Sequence, residues 1–122
     1  MSYSQSLQTV LVVEDEPIVR MYAVDVLEDA GYDVIEAGDA AQALAKLDAH
    51  PDIALMFSDI NMPGEMDGFA LAREVHRRRP DVRLILTSGK MATDKAAAGI
   101  DAFVPKPYSA DGLTRLLHET LH

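Results

Sequence analysis

Five short apolar runs, each followed by a stretch with helical spacing, constrain this chain more than any other feature. The runs are Val10-Leu11-Val12-Val13, Val34-Ile35, Ile53-Ala54-Leu55-Met56-Phe57, residues 82–86 and Ala102-Phe103-Val104. Three of them are nearly continuous hydrophobic stretches, as a parallel sheet covered on both faces requires. Such alternation demands right-handed crossovers and predicts an α/β fold, an open, doubly wound sheet with helices on both faces. A chain of 122 residues has room for one domain, expected to span residues 1–122, which would bury roughly two-thirds of its unfolded surface.

The helical stretches carry their own punctuation. Between the first two runs, Ile18, Val19, Tyr22, Ala23, Val26, Leu27 and Ala30 recur at helical spacing, with Pro17 suited to a first turn and Gly31 to a C-terminal stop. A second helix is predicted from about Asp39 to Ala49, with Ala40, Leu44 and Leu47 inward, and a third from Asp67 to before Pro80. The last begins at Ser109, an N-cap residue, and buries Leu113, Leu116, Leu117 and Leu121. Gly112 stands where a capping box would place Glu or Gln, so that cap is one-sided. The fourth connection is short: thirteen residues separate Gly89 from Asp101 inclusive. They allow a helix of about two turns over residues 91–98, roughly 12 Å long, and that element is expected to be short or partly unwound.

Composition removes several functions. Acids outnumber Lys and Arg 20 to 11, a formal net charge of -9, which disfavours direct phosphate-driven nucleic-acid binding. The one basic run, Arg73 with Arg77-Arg78-Arg79, reads as a solvated helix end suited to the helix dipole. With no cysteine, disulfides, thiolate metal sites and thiol nucleophiles are excluded. No apolar stretch reaches the roughly 20 residues that span a bilayer, and Met1 to Gln8 lack the features of a secretory signal. The cytoplasm is therefore the default location. His50, His76, His118 and His122 show no ligand spacing and read as surface, while Met56, Met62, Met66 and Met91 read as gap-filling packing.

Chemistry concentrates at strand ends. Glu14 and Asp15 close the first run, Asp59 the third, Ser88 the fourth and Lys106-Pro107 the fifth. All four ends lie on one edge of a parallel sheet, where ligands of open α/β folds bind. Three carboxylates there repel one another by about 4 kcal/mol per pair at roughly 4 Å and an effective dielectric near 20. A cation between them resolves the conflict. Asp15 and Asp59, with Glu14 reaching through water, offer the hard oxygens that Mg²⁺ takes. Asp59 could serve as a nucleophile forming an acyl phosphate. Ser88 offers a hydroxyl donor and Lys106 a point charge to phosphoryl oxygens, and Pro105 and Pro107 restrict the backbone that aims Lys106.

Over essentially its whole length the chain resembles the receiver domain of two-component response regulators. The matching residues are Val12-Val13-Glu14-Asp15-Glu16, Asp59-Ile60-Asn61-Met62-Pro63-Gly64 with Asp67-Gly68, Thr87-Ser88-Gly89 and Phe103-Val104-Pro105-Lys106-Pro107. The resemblance implies a flavodoxin-like sheet of five strands ordered 2-1-3-4-5. It implies that Asp59 accepts phosphate from a histidine kinase or phosphotransfer protein, and that Asp15, Asp59 and the Asn61 carbonyl bind Mg²⁺. Ser88 and Lys106 would contact the phosphoryl group, with a cis bond between Lys106 and Pro107. Phe103 takes the position of the switch aromatic, and Asn61 and Lys90 those that tune the lifetime of the phosphate.

Three departures from the family pattern stand out. Glu65 and Met66 lengthen the loop before Asp67-Gly68, Ser88 replaces the more usual Thr, and the fourth connection is short. The last puts in question the dimer face usually formed by the fourth helix, fifth strand and fifth helix. The expected function is a phosphorylation switch: phosphate on Asp59 draws in Ser88, Phe103 fills the space released, and the surface near Lys106 changes for a downstream protein partner. The chain would be a free-standing regulator or the receiver of a hybrid kinase, and no enzyme beyond self-phosphorylation and autodephosphorylation. A phosphoaspartate-forming hydrolase would need a second acid at Asn61, and a pure interaction module would not need the acid, hydroxyl and lysine set.

Overall fold

The computed structural model describes residues 8–89 and 99–122. Its elements run β1 (Thr9–Val13), α1 (Pro17–Asp29), β2 (Asp33–Ala37), α2 (Ala40–Ala49), β3 (Ile53–Asp59), α3 (Gly68–Arg78), β4 (Arg83–Ser88), β5 (Ala102–Pro105) and α4 (Ala110–Leu121). The strands form one sheet, ordered β2-β1-β3-β4-β5, and every adjacent pair is parallel. The alternation predicts the doubly wound parallel sheet, and the order is the one that the family resemblance implies. The predicted helix over residues 91–98, and with it Lys90 and Met91, lies outside the described residues.

Apolar side chains alternate between two half-cores, one on each face of the sheet. Leu11, Val13, Met56, Leu84 and Leu86 pack with α2 and α3, while Val10, Val12, Leu55, Phe57 and Ile85 pack with α1 and α4. The central strands β1 and β3 are buried nearly throughout, whereas the edge strands β2 and β5 are half-covered. Side-chain caps start three helices. Asp39 accepts from the Gln42 N–H, Asp67 from the Ala70 N–H and Ser109 from the Gly112 N–H. The cap at Ser109 forms although Gly112 cannot answer it.

Three readings of the sequence need correction. Ile18, Tyr22 and Ala30 do not face the core: Ile18 is 79% exposed, and Val24 takes a buried place instead. The first turn of α1 stands at the rim, where β1 has already ended, so its apolar side chains have no sheet beneath them. Arg79 is not part of a solvated basic end. Its guanidinium is half-buried and donates to the carbonyls of Leu47, Pro51 and Ile53 at 3.2, 2.9 and 3.2 Å. It ties together the last turn of α2 at Leu47, the turn after it at Pro51 and the start of β3 at Ile53. His50 is half-buried rather than superficial, at the C-cap of α2.

Candidate functional site

Where β1, β3, β4 and β5 end, the structure brings together Glu14, Asp15, Asp59, Asn61, Ser88 and Lys106. Asp59 is the last residue of β3 and is 5% exposed. Its Oδ1 accepts the Asn61 N–H at 3.2 Å, and the neighbouring Ile60 N–H extends the sheet by donating to Thr87 at 2.9 Å. Glu14 continues from β1, anchored by its N–H on the Ala37 carbonyl at 3.1 Å, and its Oε2 accepts the Glu16 N–H at 3.2 Å. The Lys106 N–H donates to the Ser88 carbonyl at 2.9 Å, which ties the end of β5 to that of β4. The Lys106–Pro107 peptide is cis.

Lys106 reaches back across the rim. Its Nζ lies 2.9 Å from Glu14 Oε1 and 3.0 Å from Asp59 Oδ2. Part of the cationic charge that the acid cluster requires thus comes from the chain itself. Burial depresses the Lys106 ammonium pKa, but the hydrogen bonds to Glu14 and Asp59 outweigh it and leave the pKa raised. Burial pushes the Glu14 carboxyl above its usual range, with the Asp59 charge adding to the effect, against the Lys106 and Glu16 hydrogen bonds that oppose it. One oxygen from each of Glu14, Asp15 and Asp59 lies within 4.8 Å of the other two. Three carboxylates against one ammonium leave two negative charges uncompensated. Hard oxygens at that spacing and charge fit a divalent cation such as Mg²⁺.

Several contacts escape a reading of the sequence. The Asn61 side-chain amide donates to Ser88 Oγ at 2.9 Å, joining the loop after β3 to the end of β4. Tyr108 packs edge-on against Phe57 at 5.4 Å and lies 5.9 Å from Tyr22. Burial, with the Glu14 charge, pushes its phenol up to about 12. Arg20 donates from Nη1 to the Glu14 carbonyl at 2.8 Å. Phe103 is half-buried against the α2/α3 half-core and is paired in register with Leu86, two residues before Ser88. By strand alternation it shares a sheet face with Ser88.

Residues 10–118 match the family of response regulator receiver domains. The chain is a member of that family. This receiver is 35% identical to the chemotaxis protein CheY of Bacillus subtilis, over 93% of the chain and 97% of that protein. It is 40% identical to the sensor kinase CckA of Brucella abortus, again over 93% of the chain but spanning only 12% of that larger protein. In structure it superimposes with a TM-score of 0.86 and 28% identity on the response regulator TrrA of Thermotoga maritima in complex with Mg²⁺ and BeF, covering 94% of this chain and all of that one. Receivers are phosphorylation-activated switches that work with histidine kinases and downstream effectors, and the family uses Mg²⁺ at an acidic pocket.

Proposed function

We propose that Asp59 is the phosphoacceptor of this receiver, and that residues 1–122 act as one switching domain. The observation that carries the reading is the position of the Lys106 ammonium, hydrogen-bonded to both Glu14 and Asp59 beside a third carboxylate. A carboxylate oxygen of Asp59 attacks the phosphorus of a phosphohistidine; the P–N bond breaks, and the imidazole leaves and takes up a proton. Glu14, Asp15, Asp59 and the Asn61 carbonyl would hold Mg²⁺, which supplies positive charge to the phosphoryl oxygens. Lys106 is placed to follow the charge from carboxylate to phosphoryl oxygen.

Ser88 Oγ accepts a hydrogen bond from the Asn61 amide at the rim, and a hydroxyl at that place is the type of group that donates to a phosphoryl oxygen. Phe103, on the same sheet face, supplies the packing change. The donor is a histidine kinase or a phosphotransfer protein, and the output is contact with a downstream protein in the cytoplasm. Direct nucleic-acid binding is disfavoured because Arg77 and Arg78 are paired with Glu74 and Arg79 is engaged with backbone carbonyls. Among the described residues no helix is long and apolar enough to cross a membrane.

Incubation with Mg²⁺ and acetyl phosphate is expected to add one acid-labile phosphate, detected by intact-protein mass. Excess EDTA should prevent it. Labelling that is absent, or indifferent to EDTA, would sink the proposal. Autodephosphorylation tests the Asn61–Ser88 bond. Asn61→Ala and Ser88→Ala remove the same contact, so their effects on phosphate lifetime should be non-additive. A coupling of about 1 kcal/mol, roughly fivefold in rate, is the expected size. A double variant equal to the product of the single effects would count against this role.

A further inference from the structure

We infer that Arg20 and Glu36 form a positioning pair that presets the Mg²⁺ affinity of the acidic rim, an inference resting on the function proposed above. The pair begins at the Glu14 carbonyl. That group lies just past the end of β1 and accepts from Arg20 Nη1 at 2.8 Å. The peptide unit that carries this oxygen is planar and continues into the N–H and Cα of Asp15. Fixing the carbonyl therefore fixes the base from which the Asp15 side chain starts, one residue beyond the backbone anchor of Glu14 on Ala37.

Arg20 is held in turn. Its Nε donates to Glu36 Oε1 on β2 at 3.1 Å, so the planar guanidinium bridges two groups and its orientation is set. The position of Gly38 leaves room for it, because a Cβ there would lie 3.3 Å from Nη1 and 3.4 Å from the Gln42 amide oxygen. That amide oxygen already accepts the Gly38 N–H at 2.8 Å. An exposed Arg–Glu pair adds little to fold stability, and Glu36 is half exposed. What the arrangement can change is the aim of the ligands. Partners one shell out from a metal commonly alter its affinity about 10- to 100-fold.

The sign of the effect separates positioning from simple electrostatics. Arg20 is a cation close to an acidic site, so on charge alone its removal would tighten Mg²⁺ binding. Positioning predicts the reverse. Calorimetric titration of the whole chain with Mg²⁺ should show Arg20→Met binding about tenfold more weakly than wild type. Glu36→Gln should weaken binding less, and should add nothing further once Arg20→Met is present. In acetyl phosphate labelling, the half-saturating Mg²⁺ concentration should rise by a similar factor, while the plateau rate changes less than about twofold. Equal or tighter Mg²⁺ binding by Arg20→Met overturns the inference while the proposed function stands. Independent, additive effects of Glu36→Gln and Arg20→Met would also overturn it. A wild-type chain that binds no Mg²⁺ at millimolar concentration defeats both.

Discussion

Replacing Asp59 with asparagine is expected to cut phosphate uptake at least about a thousandfold, and at the same time to make the metal-free protein more stable. The first effect follows from chemistry, since an amide nitrogen and its carbonyl partner do not form the acyl phosphate. The second follows from the balance of charges. Oxygens of Glu14 and Asp15 lie within 4.8 Å of Asp59, and each repulsion is about 3.5 kcal/mol at an effective dielectric near 20. The attraction lost is that of Lys106 at 3.0 Å, about 5.5 kcal/mol on the same scale. Two repulsions outweigh one attraction, so the gain is about 1.5 kcal/mol, or roughly 6 °C in melting temperature. Because burial has raised the Glu14 pKa, the native state is penalised above that pKa and relieved below it. The gain should therefore be present at neutral pH and fade as acidification protonates the Glu14 carboxyl. Melting curves in EDTA across that range test it; a lower melting temperature at neutral pH would contradict the charge balance.

Gly68→Ala should be costly for a different reason. Gly68 opens α3, and its N–H donates to the Ile60 carbonyl at 2.8 Å, which seats the helix on the end of β3. A Cβ built there would fall on the Asp59 carbonyl oxygen and lie 2.6 Å from the Ile60 Cα. Those obstacles are backbone, which cannot swing aside as a flexible side chain would. The start of α3 must back away from the strand. A loss of about 3 kcal/mol is expected, with the melting temperature about 10 °C lower. The same shift would disturb Asn61, whose N–H bonds Asp59 Oδ1, so phosphate uptake should fall with it. An alanine variant within about 1 kcal/mol of wild type in urea unfolding would show that the approach is looser than the geometry indicates.

What could be read from the sequence was whatever depends on periodicity and on strand ends. The runs at Val10, Ile53 and residues 82–86 announced buried parallel strands, and a parallel sheet necessarily places Glu14, Asp59, Ser88 and Lys106 along one edge. Less legible was anything set by which side chain reaches which. Lys106 could be assigned to an incoming phosphate from its neighbours in sequence, yet its hydrogen bonds to Glu14 and Asp59 span separations of 92 and 47 residues. Arg20 lies on a stretch that looks like ordinary helix, and only the turn from β1 into α1 reveals the Glu14 carbonyl it caps. Arg79 sits in a run of three arginines, two of which do pair locally with Glu74. Nothing in that run distinguishes the one that reaches α2. At Ile18, periodicity predicted a buried face, but periodicity cannot report where the neighbouring strand stops.

The aromatic stack beside the rim has a practical consequence, and it is optical. The chain has four tyrosines and no tryptophan, so no indole emission masks phenol fluorescence. Tyr108 follows Lys106 by two residues and rests on Phe57 and Tyr22. Its ring is thus coupled by packing to the segment that carries the ammonium. Tyrosine emission is therefore expected to change when the rim is occupied, and a Mg²⁺ titration that leaves it unchanged would contradict that coupling.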